Sequence, residues 1–161
     1  MTFDFEEQPG GLFDNVSTSQ SDGLVICLGE DLRFGKGLRY LFIYLGIASE
    51  FKQRYGNNHH HQLQAQKRSV GQVVHIGSSS SKRHVFYLIS RPKVYNRTNY
   101  TDFEACLIQL RKATEQLGVW RLALTQDLGT DGLQDKHIKE LLFKTFDGWQ
   151  GKMVMYNDIS S

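Results

Sequence analysis

Three stretches of the chain carry residue types that could do chemistry. The first is Gly35-Lys36-Gly37, which follows the polar residues Glu30–Arg33. Between a strand and a helix start, such a glycine loop turns backbone N–H groups toward an anion. Asp31 in the same loop is either a ligand contact or half of a solvated Glu30-Asp31 turn. The second stretch, Arg91–Thr98, holds Arg91, Lys93 and Arg97. Three cations there can cradle a pyrophosphate, or simply face solvent. The third, Thr125–Gly132, contains Asp127, Gly129, Thr130 and Asp131. Asp131 suits a general acid/base, and equally a turn residue before Gly132.

Each stretch follows an apolar run that reads as a strand. Leu24–Leu28, bounded by Gly23 and Gly29, suits a strand buried on both faces. Arg83–Ser90 reads as the second arm of a hairpin with Gly71–Ile76, turned through Gly77 and Ser78–Ser81. Val119–Leu124 is the third run, and Lys152–Asn157 alternates as a closing strand. Apolar residues at three-four spacing predict helices over Leu38–Tyr55, Asn99–Leu117 and Leu133–Phe146, with one or two helical turns over Gln62–Arg68. Asn99 or Thr101 can cap the second of these, whose inward face reads as Phe103, Leu107, Leu110 and Leu117. Near the start, Met1–Phe5 reads as a short edge strand. Pro9-Gly10-Gly11 reads as a turn, and Leu12 and Phe13 as a buried anchor.

This order predicts an α/β fold, a three-layer α/β/α sandwich around a central mixed sheet. The loops leaving Leu28, Ser90 and Leu124 would then meet at the carboxyl ends of the strands, where such sheets hold their ligands. Two of the loops carry glycine and one is basic, a combination that suits a phosphate-containing ligand.

The bulk composition narrows the classes. A chain of 161 residues, 40% hydrophobic and 22% charged, predicts one globular domain spanning 1–161. A net charge of +2 gives no case for a nucleic-acid groove, so no nucleic-acid partner is expected. No apolar run nears the roughly 20 residues that span a bilayer. No basic-flanked apolar leader is visible either. An intracellular monomer, in cytoplasm or nucleus and off the membrane, is expected. Cys27 and Cys106 read as buried, reduced thiols. Three successive histidines, His59–His61, read as a solvated loop rather than a metal site.

Local motifs carry a resemblance. Gly10-Gly11-Leu12-Phe13 stands where macrodomains, the ADP-ribose-binding α/β/α fold, have Gly-Asp-Leu-Phe. Gly35-Lys36-Gly37-Leu38 fills the family's Gly-Ala-Gly-Ile-like turn after its buried strand. Tyr87-Leu88-Ile89-Ser90-Arg91 resembles Tyr-Leu-Ile-Thr-Lys, and Asp127–Leu133 lies where the family has Gly-Cys-Gly-Leu-Asp-Arg-Leu. Within macrodomains the chain is most similar to the terminal ADP-ribose protein glycohydrolase branch, which removes ADP-ribose from acidic side chains.

The resemblance implies roles residue by residue. Gly35, Lys36 and Gly37 would lie beside the distal ribose, Gly129 and Thr130 beside the phosphates, and Gly11, Leu12, Phe13 and Asp31 elsewhere along the ligand. Asp131 falls on the catalytic aspartate. Gly11 replaces the aspartate that holds the adenine amino group, and Asp127 replaces a glycine near the pyrophosphate. Arg91 replaces the lysine that attacks the anomeric carbon. An amine must shed its proton to attack, and arginine stays protonated. Lys93, two residues on, would share Arg91's side of an extended segment, and it could substitute as nucleophile only if a turn at Pro92 brings it about one residue closer. The expected partners are ADP-ribose and ADP-ribosylated proteins, bound with weak or no hydrolysis and with no cofactor or metal. Full hydrolase activity is the alternative, with Asp131 and Arg91 aligning water. A second alternative is a degenerate macrodomain acting as an interaction module for a nucleotide, an RNA end or a protein.

Overall fold

A computed structural model describes residues 3–11, 23–30, 62–77, 84–93, 96–125 and 134–158. Six strands form one sheet: β1 (Asp4–Gly11), β2 (Gly23–Gly29), β3 (Val73–Gly77), β4 (His84–Arg91), β5 (Arg121–Thr125) and β6 (Lys152–Asp158). Two helices, α1 (Tyr100–Leu117) and α2 (Asp135–Thr145), join the later strands, and residues 62–66 are also helical. The strand order is β1-β6-β5-β2-β4-β3. All neighbours pair in parallel except β3, which runs antiparallel to β4. The sheet is mixed, as the element order predicts.

The alternation of a strand divides β2 between two cores. Val25 and Cys27 face one cluster with Phe86, Leu88, Phe103 and Leu142, beneath α1 and α2. Leu24, Ile26 and Leu28 face the other, with Tyr87, Ile89 and Leu63 of the 62–66 helix. Every residue of β2 is buried, which is why the run reads as apolar without alternation. At Gly23 an added Cβ would lie 2.8 Å from the Phe86 ring, so a side chain there would force that buried ring to shift.

Two local expectations change, and one pair of alternatives is decided. The chain does not turn at Pro9-Gly10-Gly11; β1 continues through Gly11, with its register slipping between Gln8 and Gly11. Proline is tolerated because β1 is an edge strand, paired on one side only. The start of α1 is capped by Asn99, whose Oδ1 accepts the Asp102 N–H at 2.8 Å while its amide donates to Asp102 Oδ2 at 2.9 Å. Glu104, three residues after Thr101 as in a capping box, meets Lys144 of α2 at 2.8 Å rather than the helix start. Leu117 faces outward at 45% exposure, and Thr114 takes the inward place, its hydroxyl satisfied by the Arg111 carbonyl at 2.8 Å. Gly118, at φ 70°, then ends the helix in the left-handed conformation that glycine adopts freely. The expected helix Leu38–Tyr55, the histidines His59–His61 and the serines Ser78–Ser81 lie outside the described residues.

Candidate functional site

Five parallel strands put their carboxyl ends on one edge of the sheet. There β2 passes into Glu30, β4 into Pro92 and β5 into the segment after Thr125. Gly29 and Arg91 are register partners, and the Glu30 N–H donates to the Arg91 carbonyl at 2.8 Å. The exits of the first two chemistry-bearing stretches are thus tied together by backbone.

Beneath this edge lies a buried polar group of side chains. Ser90 and Arg91 are fully enclosed and Thr98 nearly so. Thr98 Oγ1 donates to Ser90 Oγ at 3.1 Å, and Arg91 Nη1 lies 3.5 Å from the same oxygen. Ser90 also hydrogen-bonds Cys27. Burial pushes the Cys27 thiol up to about 11, although the Arg91 charge and the Ser90 hydroxyl both pull it down. Cys106, also buried, directs its thiol at the Ile89 carbonyl, 3.3 Å away; burial raises its pKa as well. Neither thiol is an available nucleophile at neutral pH.

Arg91 and Lys93 do not share an environment. The chain bends at Pro92, and Lys93 is exposed where Arg91 is sealed. Asn96 fixes the bend: its Oδ1 accepts the Lys93 N–H and its own N–H donates to the Lys93 carbonyl, both at 3.0 Å. An extended segment would have put both cations on one side; the bend removes that alternation.

A second tie joins the later loops. Tyr100, on the first turn of α1, accepts the Gln134 N–H at 2.9 Å and lies 3.1 Å from His137 Nδ1. Gln134 is the N-cap of α2 and makes no capping bond with its own side chain, so the tyrosine serves that helix end instead. Beside Glu30, residues Leu63, Gln64, Lys67, Arg68 and Ser69 line a cavity of about 460 Å3. No group of three or more metal-ligating side chains occurs among the described residues.

No family model matches the chain. The curated bovine ADP-ribose glycohydrolase OARD1 is 24% identical over 144 residues, covering 89% of this chain and 86% of that protein. The macrodomain of Mycobacterium tuberculosis DarG superposes with a TM-score of 0.76 at 18% identity, covering 95% of this chain and 97% of that one. Thermosipho africanus DarTG in complex with ADP-ribose gives 0.72 at 15% identity, over 94% of this chain and 41% of that one.

The fold is that of a macrodomain. The sequence match agrees with the motif resemblance to the terminal ADP-ribose glycohydrolase branch. In this chain the residues expected at the site divide sharply. Gly11 ends β1 on the carboxyl edge, and Arg91 and Lys93 are placed as above. Leu12, Phe13, Asp31, Gly35, Lys36, Gly37, Asp127, Gly129, Thr130 and Asp131 lie outside the described residues. The sequence offers no reason to single out His137 or to join it to Tyr100. Tyr100 reads only as a helix-start residue, and nothing in the chain order pairs it with a histidine 37 positions on.

Proposed function

We propose that this macrodomain binds ADP-ribose or ADP-ribosylated protein, with glycosidic hydrolysis weak or absent. The binding reading is supported by the carboxyl edge, where the exits of the two glycine-bearing loops and the basic loop gather, and by the similar fold of an ADP-ribose complex. In this reading Gly35, Lys36 and Gly37 hold the distal ribose, Asp127, Gly129 and Thr130 flank the phosphates, and Gly11, Leu12, Phe13 and Asp31 complete the pocket. Asp131 is the carboxylate that would assist any turnover. The same reading takes the chain as a single monomeric domain of the cytoplasm or nucleus. Among the described residues no helix is long and apolar enough to cross a membrane.

One observation favours binding over turnover. Arg91 stands at the position of the family's attacking lysine, is fully enclosed, and keeps its proton. A buried guanidinium anchors the groups around it; it has no lone pair with which to attack a ribose. Lys93, exposed beyond the bend at Pro92, is the candidate nucleophile for any hydrolysis that does occur.

Calorimetric titration with free ADP-ribose tests the binding reading. Saturable heat at micromolar ligand is expected; none at high micromolar ligand overturns it. Hydrolysis is the second reading, favoured by the name of the bovine relative. Loss of label from a glutamate-ADP-ribosylated protein, abolished by Asp131→Ala, would establish it in place of simple binding.

A further inference from the structure

The outer end of the sheet carries a groove that the ADP-ribose reading leaves unused. It runs between edge strand β3 and helix α1, encloses about 400 Å3, and includes Gln66, Arg68, Gln72, Lys112 and Gln116. Arg68 also lines the cavity beside Glu30, so this one side chain borders both the groove and the carboxyl edge of the sheet. We propose that this groove docks an extended acidic segment of a polypeptide, the stretch flanking the ADP-ribosylated residue of a protein target. The proposal rests on the ADP-ribose reading only for what the polypeptide carries.

Charge selects the partner. Arg68 and Lys112 are both exposed, and no described lining residue is acidic. Among the described residues neither has an ion-pair partner, whereas Arg111 on the same helix is matched by Glu115, and Lys139, Lys144 and Lys152 by glutamates. The two cations are left for an anion from outside. The glutamines fit a peptide, since each side-chain amide offers a donor and an acceptor, as a peptide unit does. A simple strand addition to β3 is obstructed at His75, whose carbonyl already accepts the Gln66 amide at 3.1 Å. The segment is therefore held by side chains along the groove. Leu117, 45% exposed at its end, supplies an apolar foothold.

A single-stranded nucleic acid would want aromatic faces on which to stack bases. The one ring among the described lining residues is His75, and it is stacked on His84 with centroids 4.9 Å apart.

Fluorescence anisotropy with a labelled glutamate-rich peptide, unmodified, tests the proposal on the full chain. Saturable binding that weakens with salt is expected, and Arg68→Glu with Lys112→Glu should lower affinity about tenfold. Both positions are exposed, so folding should survive, and far-ultraviolet circular dichroism checks it. The milder Lys112→Gln should weaken binding by a smaller factor. Absence of peptide binding, or tighter binding of a single-stranded oligonucleotide of equal charge that the same reversal abolishes, overturns it. Calorimetry with ADP-ribose on the doubly reversed variant keeps the two readings apart: it should match the wild type. Failure of ADP-ribose binding in the wild type would strike the pocket, while peptide binding would still stand.

Discussion

The hydroxyl of Tyr100 accepts the backbone N–H of Gln134 at 2.9 Å, so the start of α1 holds the start of α2. One helix begins shortly after β4, the other after the segment that contains Asp131. The bond thus pins the far end of that segment to the first helix. Tyr100→Phe removes the acceptor and leaves a helix-terminal donor to water. A loss of about 1 kcal/mol is expected in urea unfolding. If the proposed role of Asp131 and its neighbours is right, ADP-ribose affinity should fall severalfold in the same variant. Unchanged unfolding would show that the hydroxyl carries no load.

Arg91→Lys tests what separates binding from turnover. Burial disfavours a charged amine, so a lysine at this enclosed position would have a lowered pKa and a larger neutral fraction. That is the state a nucleophile needs. Release of ADP-ribose from a glutamate-modified protein is expected to rise about tenfold or more above wild type. No gain would mean that other changes at the site, such as Gly11 or Asp127, limit the reaction too. Arg91→Ala, in contrast, should cost about 3–5 kcal/mol of stability, because the groups packed around a buried charge lose their partner.

The fold was largely legible because burial writes itself into the chain. Leu24–Leu28 is apolar without alternation since β2 lies between β4 and β5 and is covered on both faces. The spacing of Phe103, Leu107 and Leu110 likewise reports one covered helix face. What escaped was set by context along the chain. Pro9-Gly10-Gly11 has the composition of a turn, and only the edge position of β1 lets a strand run through it. At the site, the contrast between Arg91 and Lys93 depends on the bend that Asn96 closes, which residue types alone do not announce. Tyr100 and His137 meet because two helices start side by side, a relation with no sequence period.

The cysteines should behave as packing residues. Cys27 and Cys106 are both free and buried, and burial holds Cys27 at about 11. Thiolate is therefore scarce at neutral pH. A thiol-reactive dye is expected to label neither residue in the folded protein and both after denaturation. Rapid native labelling of Cys27 would contradict the enclosed Thr98–Ser90–Cys27 arrangement. Thr98→Val, which removes the hydroxyl above Ser90, should destabilise the fold by about 1 kcal/mol.

The β3–β4 hairpin should weaken in acid. His75 Nε2 and His84 Nδ1 are 2.7 Å apart, a separation that requires one nitrogen to donate and the other to accept. Protonating both imidazoles would set two N–H groups against each other. Burial, and then the His84 charge, hold the His75 pKa below its ordinary value of 6.5. The unfolded chain therefore binds the proton more readily than the folded one, and stability must fall as pH falls. The contribution is intact above the ordinary histidine range and is lost through and below it. Thermal unfolding should show a lower midpoint at about pH 5 than at about pH 8. Replacing His84 with glutamine removes the opposing charge, so the acid-induced drop should shrink. A midpoint shift as large in His84→Gln as in the wild type would assign the acid sensitivity to other groups.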